Sequence, residues 1–309
     1  MRHTQSLLPL LAAILLCAGI VRAEDENKQK VFASPDDAFK ALIEGMEKNS
    51  DEQLLDVLGH ANKDLVVQSD KEATEEGRAR LSKLAKEHLK IEREGDKATA
   101  CFGFKCWPFP IPLVKKAEGW AFDTAAGKEE ILNRRIGRNE LKAIHFMDGY
   151  DDAQRAYASA DHTGDKVLKY AQKLISSKGK RDGLYWPLPE GSKEDPSPLA
   201  PLVEDAPDFV EGTGTDIPYH GYYFKILTKQ GANPPNGKYD YVINGNMIAG
   251  FALVGWPADY GSSGIMTFVI SHQGTIYQKD LGADTAKLAA AMDEYNPDGT
   301  WKEVKAEEK

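Results

Sequence analysis

The sequence predicts an α+β protein: helices and a small sheet in its first half, a long connecting helix, and an antiparallel sheet in its second half. Two observations carry this. Apolar residues recur at helical spacing in most of the first 90 positions and again after Gly127, whereas beyond Pro218 they alternate or run continuously, as in strands. The connections between the later segments are also short, which antiparallel pairing permits and parallel pairing does not.

Taken in order, Ser34-Pro35-Asp36-Asp37 places a cap, a first-turn proline and two acids where a helix begins, and Ala38, Leu42, Ile43 and Met46 supply its apolar stripe. Ser50 and Gln53 form a capping box for a second helix that Gly59 ends. A third helix is expected over about 76 to 90. Strands follow at 97–104, 109–114 and Trp120 to Asp123, separated by Pro108, Pro110, Pro112 and Gly119. Gly127 to about Ala160 is rich in helix formers, with Asp148-Gly149 as an expected break or kink. Leu168 to Ser176 reads as one more helix.

The stretch 179–218 has no periodicity and is crowded with prolines from Pro187 to Pro218. Its Tyr185, Trp186 and Phe209 point to an ordered loop packed on the fold rather than a disordered linker. Strands are then expected at Gly221 to Thr228, Tyr239 to Ile243, Met247 to Trp256, Ile265 to Ser271 and Thr275 to Lys279. Asn244-Gly245 is a strong hairpin signal. A helix from Asp284 to Tyr295 closes the domain. The resulting division is 1–23 as a signal peptide, 24–126 as an N-terminal α+β domain, 127–178 as connecting helices, 179–218 as the proline-rich loop, 219–301 as the β domain and 302–309 as a charged tail.

The address lies at the start of the chain. A basic Met-Arg-His opening, the apolar run from Leu7 to Val21 and the site Val21-Arg22-Ala23 describe a secretory signal cleaved before Glu24. The apolar run is shorter than the ~20 residues of a spanning helix, so no transmembrane anchor is expected. The expected location is periplasmic or secreted. Cleavage removes Cys17 and leaves Cys101 and Cys106, which in an oxidising compartment lean toward a disulfide closing a loop that contains Gly103. The loop-entropy argument values so small a ring at roughly 2 kcal/mol.

Charge narrows the partners. With 48 acids against 39 Lys and Arg the net charge is −9, which argues against a nucleic-acid backbone as ligand. Nothing in the sequence calls for a cofactor or a metal.

Three segments, Arg134-Arg135-Ile136-Gly137-Arg138-Asn139-Glu140-Leu141, Asp182-Gly183-Leu184-Tyr185-Trp186 and Pro218-Tyr219-His220-Gly221-Tyr222-Tyr223-Phe224, together resemble a domain-of-unknown-function family of exported bacterial proteins, number twenty-nine fifty. Trp256-Pro257-Ala258 and Gln278-Lys279-Asp280-Leu281-Gly282 fit the same pattern. The resemblance covers nearly the whole mature chain and implies bacterial origin and export. The order of elements ending in Gly119-Trp120-Ala121-Phe122-Asp123 also looks like an NTF2-like domain. Tyr150 to Gly282 looks like a pilin or pseudopilin head, although the chain lacks the retained apolar helix and prepilin cleavage motif of that group.

His220, set among tyrosines where a strand begins, is the best candidate for chemistry, with Asp182 or Asp216 as the carboxylate a general base requires. The bland alternative is a hydrogen-bonded histidine at a strand start. Gly261-Ser262-Ser263-Gly264 lacks the nucleophile-elbow pattern and reads as a turn. Asp161 to Asp165 resembles part of a calcium loop but lacks its closing glutamate. Arg134, Arg135 and Arg138 suit an anion or a contact between domains. Tyr185, Trp186, Tyr219, Tyr222, Trp256 and Tyr260 suit a glycan or peptide surface, or else core packing. The reading that follows is a non-enzymatic binding or assembly module whose partner is an envelope protein or cell-wall component. The alternatives are a cell-wall hydrolase centred on His220 and a pseudopilin-like assembly component.

Overall fold

A computed structural model describes residues 28–305 except Gln68 and Glu190. The signal-peptide segment 1–23 and the last residues of the tail therefore lie outside the described residues. The architecture is α+β, and the chain divides between Ile131 and Leu132 into two compact units.

In the first unit, α1 (Pro35–Glu47) starts as its sequence dictates, with the Ser34 hydroxyl accepting from the Asp37 N–H at 3.1 Å. The Ser50 hydroxyl caps α2 (Asp51–Leu58), which ends at Gly59 with φ of 94°. After the single turn α3 (Lys63–Val66), α4 (Lys71–Glu87) begins earlier than its apolar stripe suggests, because the Asp70 carboxylate accepts from the Ala73 N–H. The strands are β1 (Leu89–Glu94), β2 (Lys97–Phe102), β3 (Trp107–Pro108), β4 (Leu113–Lys116) and β5 (Gly119–Phe122). They pair antiparallel in the order β1-β2-β4-β5, with β3 also on β2. β1 corrects the expectation of helix to residue 90. It is a largely exposed edge strand whose apolar alternation stops after Leu89 and Ile91, too short to stand out against the helix before it. Cys101 and Cys106 are joined in a disulfide with a Cα–Cα distance of 4.6 Å. Phe39 fills the centre of this unit, meeting Phe102, Phe109 and Phe122 edge-on at 5.3 to 6.3 Å.

The unit boundary falls within α5 (Thr124–Ala158), a helix of 35 residues. It runs unbroken through Asp148-Gly149, where the sequence suggested a break or kink. Gly149 serves packing instead: a Cβ there would lie 2.4 Å from Leu202 Cδ1. The expected helix at Leu168 to Ser176 is also absent. The backbone is spent elsewhere, with Tyr170 N donating to Met247 O and both polar groups of Ala171 bonded to the Gln154 side chain.

The stretch 179–218 is ordered around the short α6 (Ala200–Val203) and a 3-10 turn at Pro207–Glu211, and it buries Leu184, Leu199, Val203 and Phe209. Then come β6 (Tyr222–Leu227), β7 (Lys229–Gln230), β8 (Tyr239–Asp240), β9 (Val242–Ile243), β10 (Asn246–Met247), β11 (Ala252–Pro257), β12 (Met266–Ser271) and β13 (Ile276–Asp280). After α7 (Thr285–Ala290) follow β14 (Glu294–Tyr295) and β15 (Lys302–Glu303).

The main sheet is antiparallel in the order β15-β13-β12-β11-β6, and β11, between β12 and β6, is buried throughout. Asn244 and Gly245, both at positive φ, turn the β9–β10 hairpin. Two ends differ from the sequence reading. α7 stops at Ala290 because Glu294–Tyr295 pair with β7, and the charged tail begins later because Lys302–Glu303 pair with β13. Phe146 of α5 stacks on Phe224 of β6 at 4.2 Å in the core of this unit.

Candidate functional site

Two of the signature segments meet the Ala258–Gly264 loop in the second unit. The loop folds on itself first: Asp259 O accepts from the N–H groups of Ser262 and Ser263, and Gly261 N donates to Gly264 O. Gly261 to Gly264 is thus a turn, as its composition indicates. One face of α5 then holds it. Arg135 Nε donates to Ser262 O at 3.1 Å, Asn139 Nδ2 to Ser263 O at 2.8 Å, and one Glu140 carboxylate oxygen accepts from the N–H groups of Ile265 and Met266 at 2.9 and 3.0 Å. From below, the Tyr222 hydroxyl donates to Met266 O and lies so close that a Cβ on Gly264 would sit 2.2 Å from it. Burial, with Glu140 close by, pushes the Tyr222 hydroxyl pKa well above the ordinary phenol range. Tyr260, half-buried, donates to Asp280 at 3.0 Å.

His220 belongs to the turn beside this loop. Tyr219 and Tyr222 exchange both backbone hydrogen bonds, and the two residues between them, His220 and Gly221, have φ of 45° and 81°. That is a two-residue hairpin turn, a position histidine enters more readily than most non-glycine residues. Gly221 is needed for a second reason, since a Cβ on it would lie 2.8 Å from Asn139 Nδ2. The carboxylate facing His220 is Asp205, whose Oδ2 lies 3.2 Å from His220 Nε2 without hydrogen-bond alignment and accepts from Lys142 Nζ at 2.7 Å. Lys142 first, and then His220, hold the Asp205 carboxyl below its usual range. Neither Asp205 nor Lys142 stands out in the sequence. The signal available was only that Lys142 lies one turn beyond Arg138 on the same helix.

The carboxylates expected beside His220 are used elsewhere. Asp182 accepts from Ser177 N, Ser177 Oγ and Lys173 Nζ. Burial raises its pKa, but those three donors outweigh burial and hold it down at about 2. Asp216 caps Thr213 and its own loop. Asp161 likewise accepts backbone N–H bonds from Thr163, Gly164 and Lys166, which is the reverse of a cation site. Among the described residues no cluster of three or more His, Cys, Asp or Glu side chains is placed to hold a metal.

The six aromatic candidates do not share an exposed face. Trp186, Tyr219, Tyr222 and Trp256 are buried, and only Tyr185 and Tyr260 keep part of their surface open. Their proximity to prolines and glycines at strand ends reflects packing: Tyr219 lies 4.9 Å from Phe146 and donates to Leu202 O, while Trp186 lies beside His162 and Arg181. Of the three arginines, Arg135 binds the loop, Arg134 is half-buried and Arg138 is exposed.

No curated protein and no solved structure matches this chain. A family model does match residues 29–304, under the description "Protein of unknown function (DUF2950)". The match spans both units, the segments that carried the resemblance included, and on that extent the chain belongs to the DUF2950 family.

Proposed function

We propose that this protein is an exported, non-enzymatic binding or assembly module of the cell envelope, with the Ala258–Gly264 loop and Tyr260 as its contact element. The observation that carries the reading is how the polar groups of Arg135, Asn139 and Glu140 are spent. Arg135 and Asn139 hold the main chain of the loop and Glu140 that of Ile265 and Met266, where the loop runs into β12, so the loop is fixed before any partner arrives. Export is supported by the signal-like start of the sequence and by the Cys101–Cys106 disulfide. Among the described residues no helix is long and apolar enough to cross a membrane.

A second reading rests on one distance. His220 Nε2 lies 3.2 Å from Asp205, an imidazole–carboxylate pair of the kind a hydrolase uses.

One experiment separates the two readings. The mature protein is immobilised and challenged with envelope extract and with isolated cell-wall fragments, alongside Tyr260→Ala, Glu140→Gln and His220→Asn, each checked by near-ultraviolet circular dichroism. Asparagine suits the positive φ of the turn while removing the imidazole. Capture is expected to fall about ten-fold or more in Tyr260→Ala, as for an aromatic anchor, to fall in Glu140→Gln, and to persist in His220→Asn. Release of wall fragments by the wild type that vanishes in His220→Asn would replace this reading with the hydrolase.

A further inference from the structure

A pocket of about 290 Å³ opens in the first unit, between α1, α2, α3, α4 and the stretch 107–111. Leu42 and Met46 of α1 and Leu54 and Leu58 of α2 are buried and make its floor. Trp107 and Ile131 also line it and are 39% and 36% exposed, so its mouth is open to water. One residue of the wall is not explained by the fold. Gly77 stands inside α4, where glycine weakens a helix relative to every residue but proline. Its backbone is ordinary helix with no positive φ, and a Cβ on it would meet nothing within 4 Å. Neither conformation nor packing calls for glycine there, in contrast to Gly149. What the glycine leaves is room in the pocket.

The lining also settles what kind of group fits. Its one charged residue, Arg78, donates to Asn49 Oδ1, Asp51 Oδ1 and Val66 O at 2.5 to 2.7 Å, and the Thr74 hydroxyl donates to Asp70 O. The charge of Arg78 is thus compensated by Asp51, and the pocket is electrically neutral in a chain of net charge −9. Such a lining complements an uncharged group. A peptide brings an N–H and a C=O with every residue and would leave them unpaired against these walls. An alkyl chain brings neither, and gains by leaving water.

We propose that this pocket binds the alkyl chain of a single-chain amphiphile, whose head group stays in water at the mouth. The volume is roughly twice that of a cavity that holds one benzene ring, which suits a chain of about eight to ten carbons. The site lies within the first unit and does not depend on the function proposed for the Ala258–Gly264 loop.

The test titrates the mature protein with 1-alkanols of increasing length, by calorimetry and by NMR of the methionine methyl groups. Affinity is expected to rise about three- to four-fold per methylene, and to level off near ten carbons, where the chain outgrows the pocket. The Met46 methyl resonance shifts on saturation, while those of Met247 and Met292 in the second unit do not. Gly77→Leu puts a side chain into the open space and is expected to weaken 1-octanol binding by about ten-fold or more. The same variant resists urea at least as well as the wild type, because a glycine has left a helix interior. Gly77→Ala, which adds a single methyl, lies between. Glu140→Gln leaves binding intact, which separates this site from the loop. Failure of 1-octanol to bind at millimolar concentration, an unmoved Met46 resonance, affinity independent of chain length, or undiminished binding by Gly77→Leu overturns the proposal. So does self-association, or capture by phospholipid vesicles, that Gly77→Leu abolishes, since a second copy or a bilayer is then the occupant.

Discussion

Replacing Gln154 by leucine is expected to destabilise the second unit by roughly 3 kcal/mol or more, although the new side chain is apolar and of similar size. Gln154 is fully buried. Its Nε2 donates to Ala171 O at 2.9 Å and its Oε1 accepts from Ala171 N at 2.8 Å, so it takes the place of a strand partner at Ala171. Leucine leaves both backbone groups buried and unpaired, at about 1–3 kcal/mol each, and also removes a donor from the Tyr150 hydroxyl. Peptide-resolved hydrogen exchange checks this, with protection falling at 168–176 and on β11. Unchanged protection there would mean that water or a shifted backbone replaces the lost bonds.

That same residue explains one place where sequence reasoning failed. Leu168 to Ser176 has the composition of a helix, but its conformation is set from a distance by Gln154, Met247 and Tyr185, and no local pattern records those contacts. β1 was hidden for the opposite reason, being exposed along most of its length. Features whose cause is local were legible: the Ser34 and Ser50 caps, the Asn244-Gly245 turn and the strands β6, β11, β12 and β13, whereas β7 was not, and the runs Tyr239 to Ile243 and Met247 to Trp256 each divide between two strands. The site divides the same way. His220 and the arginine-rich segment stand out in the sequence, whereas Asp205 reaches His220 from an irregular segment whose path only the fold defines. The aromatic candidates were legible as residues but not as surface or core, because strand-end prolines and glycines accompany both.

The first unit should respond as sharply to the loss of Phe39. This ring is fully buried and is the common neighbour of Phe102, Phe109 and Phe122. Phe39→Ala removes the ring and leaves its three partners facing a cavity, a change that costs about 3–5 kcal/mol in well-packed cores. Urea unfolding followed by hydrogen exchange is expected to show β2 and β5 opening at lower denaturant in the variant. A loss below about 1 kcal/mol would indicate that the three remaining rings collapse into the space. Phe39→Leu, which retains most of the volume, is expected to lie between the two.

The tyrosines of the second unit give it an alkaline limit. Burial raises the hydroxyl pKa of Tyr150, Tyr222 and Tyr241 far above the ordinary range, and that of Tyr157, Tyr219 and Tyr295 to about 12. A raised native pKa contributes stability that is fully present below the unfolded value near 10 and is lost as the pH climbs through the native values. Above about pH 10 the unfolded chain gains by losing protons that the folded chain must keep. These six hydroxyls should therefore ionise together, in the same step in which the sheet opens. Tyrosinate absorbance rising one group at a time over intact circular dichroism would count against it. The ultraviolet spectrum in base thus becomes a built-in reporter of this unit alone.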